Sequence, residues 1–588
     1  SSAASDVYKR QISNGATATI QEGSSLADNA LAGLLLDATT ATLFESTASG
    51  NGVAGVRLIE GAVGTLQSSH VDRNELDGVL VDASTVNIDG GTCANNLRHG
   101  VLLINNATAT VFNGATLSGN GVDGMRISSG TGNLQGASSQ ANTEHGVKVL
   151  GEGTGMLTDS SVMDNGINGV DIDTASATIS GSTIRTNGAN GVHVLGGGWV
   201  MVEAGSVLQD NTQDGILLEA STGTIDASAC SGNGWHGVHA VNGSTLIVRN
   251  GSIFLQNVLD GVLVEGSFLE FSDSTADGNQ RDGISLVDAE AKLSGAVLKN
   301  QAAHGLHLSG SFATAIDSDI FGNLEEGIFE QKSRLTLIDG TVRSNGNNGA
   351  LLENALLEVL RTVFDANGTH GMLAGNNSSA TLTDSTITNH PKEGAYFSTS
   401  SGDFLRCTIS GNTLHGIGTD VAAIVMDTST VSANGQHGIH LVNSTADLLD
   451  CTFSGNGNSG VAAQDSTASM INCSFASQGG DGIELGNSAA NLEKVTIDDS
   501  IGSGISASRS IVAYEEGALR NNGADGITLA YSSIVATDVA ISGNAGSGVS
   551  GESAGANFVE CTVAGNAVHG LWLSFSQARF EEGEIRDN

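Results

Sequence analysis

The sequence predicts an all-β solenoid, a parallel coil of about 25 short turns, and three observations predict it. A glycine recurs every 22–24 residues, the apolar period inside each interval is two, and composition does not shift along the 588 residues. With Gly438 of "NGQHGIHLVN" (434–443) as the zero position, the series runs from Gly33 to Gly570 and holds 25 glycines. The next residue is apolar every time, as at Val170, Ile216, Leu306, Ile439 and Leu571. Four positions before the glycine stands Asn in 21 of the 25, the exceptions being Gln301, His390, Gln478 and Ser500.

Each turn then divides into three short strands. In "GVDIDTASATISGSTIRTN" (169–187), Val170 and Ile172 point one way and Asp171 and Asp173 the other, while Ile179 and Ile184 mark two further strands. Stacked turns pair these strands in parallel around one apolar column. "LLENALLEVLR" (351–361) has a helical look by itself, but its place in the repeat makes it strand. The recurrent Asn stands at a tight inward turn, where stacked amides bond to one another along the axis. At about 4.8 Å per turn the coil would run roughly 120 Å.

This pattern of Asn, two residues, a polar residue, Gly and alternating apolar residues resembles the right-handed parallel β-helix repeat family with the pectin-lyase-like fold. The resemblance covers nearly all of 12–588 and implies one single-stranded right-handed parallel β-helix. That family includes polysaccharide lyases, hydrolases and epimerases, together with bacterial surface and adhesin-like proteins that carry no catalysis. It therefore implies an extracellular or cell-surface place.

Composition narrows the partners. A formal charge of −40 excludes nucleic acid, which needs clustered Lys and Arg. No run of about 20 apolar residues exists to insert into a membrane. Residues 1–11 (SSAASDVYKRQ) fit no repeat and read as an adapter-derived, non-native segment. Spacings alternate from Gly33 to Gly283 and are nearly uniform beyond, giving sub-regions 12–283 and 284–588 of one continuous helix. Asn588 falls where the next ladder Asn belongs, so the reading expects a fragment truncated at its C-terminus, with flanking domains in a longer chain.

Side chains with chemistry fall on the repeat. The position before the zero glycine is His in eight turns and Asp or Glu in nine, an interleaved polar column. His-Gly-apolar-His recurs at His236/His239, His304/His307 and His437/His440. Zinc needs three or four ligands and each turn offers two, so the reading is architecture, with no metal site. Cys407, Cys451, Cys473 and Cys561 share one small inward slot and read as buried thiols, although Cys451 and Cys473 are on adjacent turns. Outward Thr386, Thr408, Thr430, Thr452, Ser474 and Thr496 resemble an ice-binding array, spoiled by Asp384, Arg406, Asp450 and Lys494.

The repeat breaks its own rules in two places. In "GNLEEGIFEQKSRL" (322–335) Glu330 takes the inward apolar slot and Phe329 the outward one, and in "NHPKEGAYF" (389–397) His390 replaces the ladder Asn beside the single Pro391. If the chain is a polysaccharide lyase, hydrolase or epimerase, its candidate catalytic residues are His304, His307, Glu326, Glu330, Lys332, Arg334, Lys392 and Tyr396. No long insertion walls a cleft, so the favoured expectation is a non-catalytic surface or secreted rod, a stalk or adhesin segment. It would contact polysaccharide or cell-surface glycan, requires no cofactor, and can accommodate calcium on its acidic face. No continuous outward apolar column is expected.

Overall fold

The structure, a computed structural model, describes residues 10–588; the segment 1–9 lies outside the described residues. The described chain is all β, forming about 26 turns of right-handed parallel solenoid without a helix. No helix in them is long and apolar enough to cross a membrane. The first strand, Arg10–Ser13, begins two residues inside the leading segment and pairs with Leu34–Asp37. Two compact units divide the chain, one up to Ala302 and one from Ala303.

Within each unit a turn supplies one strand to a first sheet and two to a second. Val170–Asp173, Ser176–Ser180 and Thr183–Arg185 make one such turn, and the first pairs in parallel with Val147–Leu150 before it and Val192–Leu195 after it. Inward Val170, Ile172, Ile179 and Ile184 are fully buried. The sequence 351–361 forms Ala350–Glu353 and Leu356–Leu360, strands as the repeat requires. Corners are made by single left-handed residues, here Thr174, Gly181 and Thr186.

Three ladders of side chains tie turn to turn. Ladder amides chain through Nδ2 and Oδ1, as from Asn434 to Asn456 at 3.0 Å, and each Oδ1 also accepts the preceding Asn backbone N–H. Gln478 continues the chain through Oε1, and His390 accepts the Asn367 N–H through Nδ1 at 3.2 Å. Hydroxyls make a second ladder, as in Ser466 N–H to Ser488 Oγ at 3.0 Å. Cys407, Cys451, Cys473 and Cys561 occupy hydroxyl slots, Cys407 donating to Leu382 O at 3.4 Å, and all six thiols are free and buried. The zero glycine is fixed by close approach: a Cβ at Gly438 would lie 2.5 Å from Gly460 O. The outward Thr column stacks in register from Thr386 to Thr408 to Thr430, and Arg406 across its edge pairs with Asp384 at 2.6 Å.

Candidate glycan-contact face

The polar column before the glycine is the third ladder. Asp, Asn and His side chains along much of it accept the backbone N–H of their counterpart one turn on. Asp214 Oδ1 takes the His236 N–H at 3.0 Å, Asn190 Oδ1 takes that of Asp214 at 3.1 Å, and His415 Nδ1 takes that of His437 at 3.3 Å. Asp, Asn and His share an acceptor at the same distance from the backbone, which is why the column tolerates these three. His437 Nδ1 in turn accepts the Ser459 N–H at 3.2 Å. Burial, reinforced by the neighbouring His440 and His437 rings, pushes His415 down to about 4.

In the unit up to Ala302, the outward slots of three successive turns hold Lys148, Asp171 and His193. Asp171 receives Lys148 Nζ at 3.0 Å, His193 Nδ1 at 3.0 Å and Asn168 Nδ2 at 2.9 Å, and His193 Nε2 reaches Glu219 at 3.0 Å. Burial alone would raise Asp171, but bonds from His193 and Lys148 hold it well below the carboxylate range. Burial would lower His193, yet its two carboxylate partners raise it. No motif in the sequence marks this network. Its one signal was a charged residue in consecutive outward slots.

In the unit from Ala303, the two rule-breaking segments share the outer face of the first sheet. His304 Nδ1 lies 3.2 Å from Glu326 and Nε2 lies 3.5 Å from Glu325. The His307 ring stacks on Phe329 at 5.1 Å and 18°. Further along, His370 Nε2 meets Glu393 at 3.1 Å, with Tyr396 6.1 Å from the same imidazole. Burial would raise the Glu326 and Glu393 carboxyls, but the histidine bonds lower both.

Strand register joins the segments into one stripe. Outward His307, Phe329, Leu351, Leu373 and Tyr396 stand side by side on five successive turns. The stripe ends at Gly418 on the next turn and is not a continuous column. Three candidate residues leave the face. Glu330 is 0% exposed between Leu308 and Leu352, with neither carboxylate oxygen partnered, and burial raises it well above the usual range. A neutral side chain in the core touches no substrate. Lys332 is an exposed left-handed corner, and Arg334 starts a second-sheet strand and pairs with Glu358 at 2.8 Å. Lys392 is exposed at the rim beside Glu393.

The description "Right handed beta helix region" matches residues 11–141, 168–321, 326–469 and 461–588. The chain belongs to the right-handed β-helix family. A comparison with curated proteins finds no match. Among solved structures, a double mutant of the periplasmic alginate epimerase AlgG is 12% identical over 60% of this chain and 76% of its own, with a TM-score of 0.27. Pectate lyase Pel9A is 13% identical over 43% and 71%, at a TM-score of 0.25. The Azotobacter vinelandii mannuronan C-5 epimerase AlgE4 A-module is 14% identical over 62% and 88%, at 0.23. Likeness this distant says nothing of substrate.

The same face of this β-helix deepens further on, where outward slots hold Ala462 and Ser506. Small residues there leave a hollow of about 450 Å³ lined by His437, His440, Gln464, Glu484, Asn487 and Arg509. His440 packs 4.6 Å from His415 and 5.4 Å from His437.

Proposed function

We propose that this β-helix is a non-catalytic glycan-binding scaffold, exported to the cell surface or medium, whose contact surface includes the stripe from His307 to Tyr396. The five-turn stripe carries the reading. It offers aromatic and aliphatic faces spaced by about 4.8 Å, close to the length of one sugar unit in an extended chain. Polar groups flank it, with half-buried Glu393 on one side and Gln331 and Glu353 on the other. Such apolar platforms with polar edges suit pyranose rings. The acidic rims favour a neutral glycan, while a polyuronate would need calcium to bridge the like charges.

Catalysis is the second reading, and the His304–Glu326 and His370–Glu393 pairs are what favour it. Against it, these groups are committed to one another, Glu330 is in the core and Arg334 is off the face.

The test is affinity electrophoresis of residues 12–588 in neutral and acidic polysaccharides, with and without calcium, alongside assays for new reducing ends and unsaturated uronates. Binding should weaken about tenfold in Phe329→Ala with Tyr396→Ala, the scale of losing one or two stacked rings. No depolymerisation is expected. Retained binding in that variant would overturn the stripe; turnover abolished by Glu326→Gln would establish the enzyme instead.

A further inference from the structure

The unit up to Ala302 holds a different chemistry, in which adjacent turns supply what one turn lacks. Asp214, His236 and His239 each offer a ligand atom, and these atoms all lie within 4.8 Å of one another. Asp214 commits Oδ1 to the backbone ladder. Its Oδ2 has no hydrogen-bond partner although the side chain is only 1% exposed, and it faces His239 Nδ1 at 3.8 Å. A buried carboxylate oxygen left without a donor is unfavourable and is expected to have a use.

Both imidazoles are oriented from behind by carboxylates. His239 Nε2 lies 3.0 Å from Glu265 Oε2, which draws the ring proton there and leaves the Nδ1 lone pair toward Asp214. His236 Nδ1 accepts the Asp260 N–H at 3.2 Å and lies 3.1 Å from Asp260 Oδ2. Metal binding at Nε2 would move the ring proton to Nδ1, where Asp260 Oδ2 stands ready to accept it. Asp260 is itself anchored by Arg281, Nε to Oδ1 at 2.8 Å. Carboxylate–histidine pairs of this kind fix ring tautomers at metal centres.

We propose that Asp214, His236 and His239 bind a zinc-class divalent cation, with Glu265 and Asp260 positioning the two rings. Two nitrogens and one oxygen suit zinc, whereas calcium takes six to eight oxygens. Donors on a tetrahedral zinc stand roughly 3.4 Å apart, so the Asp214–His239 pair is nearly closed already. The fourth position opens on a hollow of about 620 Å³ bordered by Leu217 and Trp235, where water or a ligand group enters.

Two comparable clusters among the described residues lack this fitness. At Asp123–Glu144–His145, Arg126 lies 3.6 Å from Asp123 Oδ2 and Lys148 lies 3.3 Å from His145 Nε2, so cations already hold the donors. At His304–Glu325–Glu326 a single imidazole has a carboxylate near each nitrogen.

The experiment titrates metal-stripped full chain with Zn²⁺ and Co²⁺ in excess Ca²⁺ and Mg²⁺, which mask the acidic surface. Zn²⁺ should saturate a single site and raise Tm, and Co²⁺ should give the intense visible bands of tetrahedral coordination. His239→Ala and Asp214→Asn should abolish the bands, the latter keeping the Oδ1 ladder acceptor and hence the fold. Glu265→Gln should weaken affinity about tenfold, and His440→Ala should leave binding intact. Absence of saturable Zn²⁺ binding, or equal binding by wild type and His239→Ala, would overturn the proposal.

Discussion

Glu330 shows what one residue reveals when it opposes its surroundings. It occupies a slot held by leucine on both neighbouring turns, and its two oxygens meet no donor. Because burial raises its folded pKa, the group contributes no penalty to stability below its ordinary value of 4.5, and stability is lost as pH rises toward the folded pKa. At pH 7 Glu330→Leu should therefore stabilise the protein by about 2 kcal/mol, read by urea unfolding. Its inward position was legible from the period-two alternation, but its lack of partners was not, since partners belong to other turns.

At the scale of the element, the ladders decide which residues can stand where. Asn456 donates Nδ2 to Gln478 and to Val431 O and accepts both the N–H and the Nδ2 of Asn434. Asn456→Ala would strand several buried groups and should cost about 3 kcal/mol. Because a solenoid couples nearest neighbours, the loss should appear as proteolysis near 434–478 before global unfolding. The recurrent Asn and Gly were plain in the sequence because each repeats with the coil. The polar column was equally visible, but its purpose was not. His, Asp and Asn look chemically diverse in a string and become equivalent only once each is seen accepting the next turn's N–H.

Across the whole molecule, buried histidines respond to acid in two opposite ways. From Ala303 onward, burial pushes His390 and His415 down to about 4 from an ordinary value of 6.5, and lowers His437 and His440. The unfolded chain takes protons first, so stability is full above pH 6.5 and falls as pH drops toward 4, by about 3 kcal/mol for each of His390 and His415. Burial opposes a raised pKa at His193 and His239, but bonds to Asp171 and Glu219 raise the first, and a bond to Glu265 with the nearby Asp214 charge raises the second. Their contribution is present below pH 6.5 and lost as pH rises through the raised values. Hydrogen exchange at pH 5 against pH 7 should show protection lost around His390 and around His415–His440, and kept around His193 and His239. His390→Asn, which restores the ladder residue, should flatten the dependence.

The sequence by itself determined the coil: its turn length, its inward column, its ladders and the strand nature of 351–361 all follow from a period repeated often enough to outweigh local propensity. Only the tertiary structure decided which outward side chains work together. Phe329 and Tyr396 belong to one stripe, and Asp214 completes what His236 and His239 begin, because residues 22–24 apart become neighbours when turns stack. A repeat fixes where each side chain points; which group it meets depends on the turn above and the turn below.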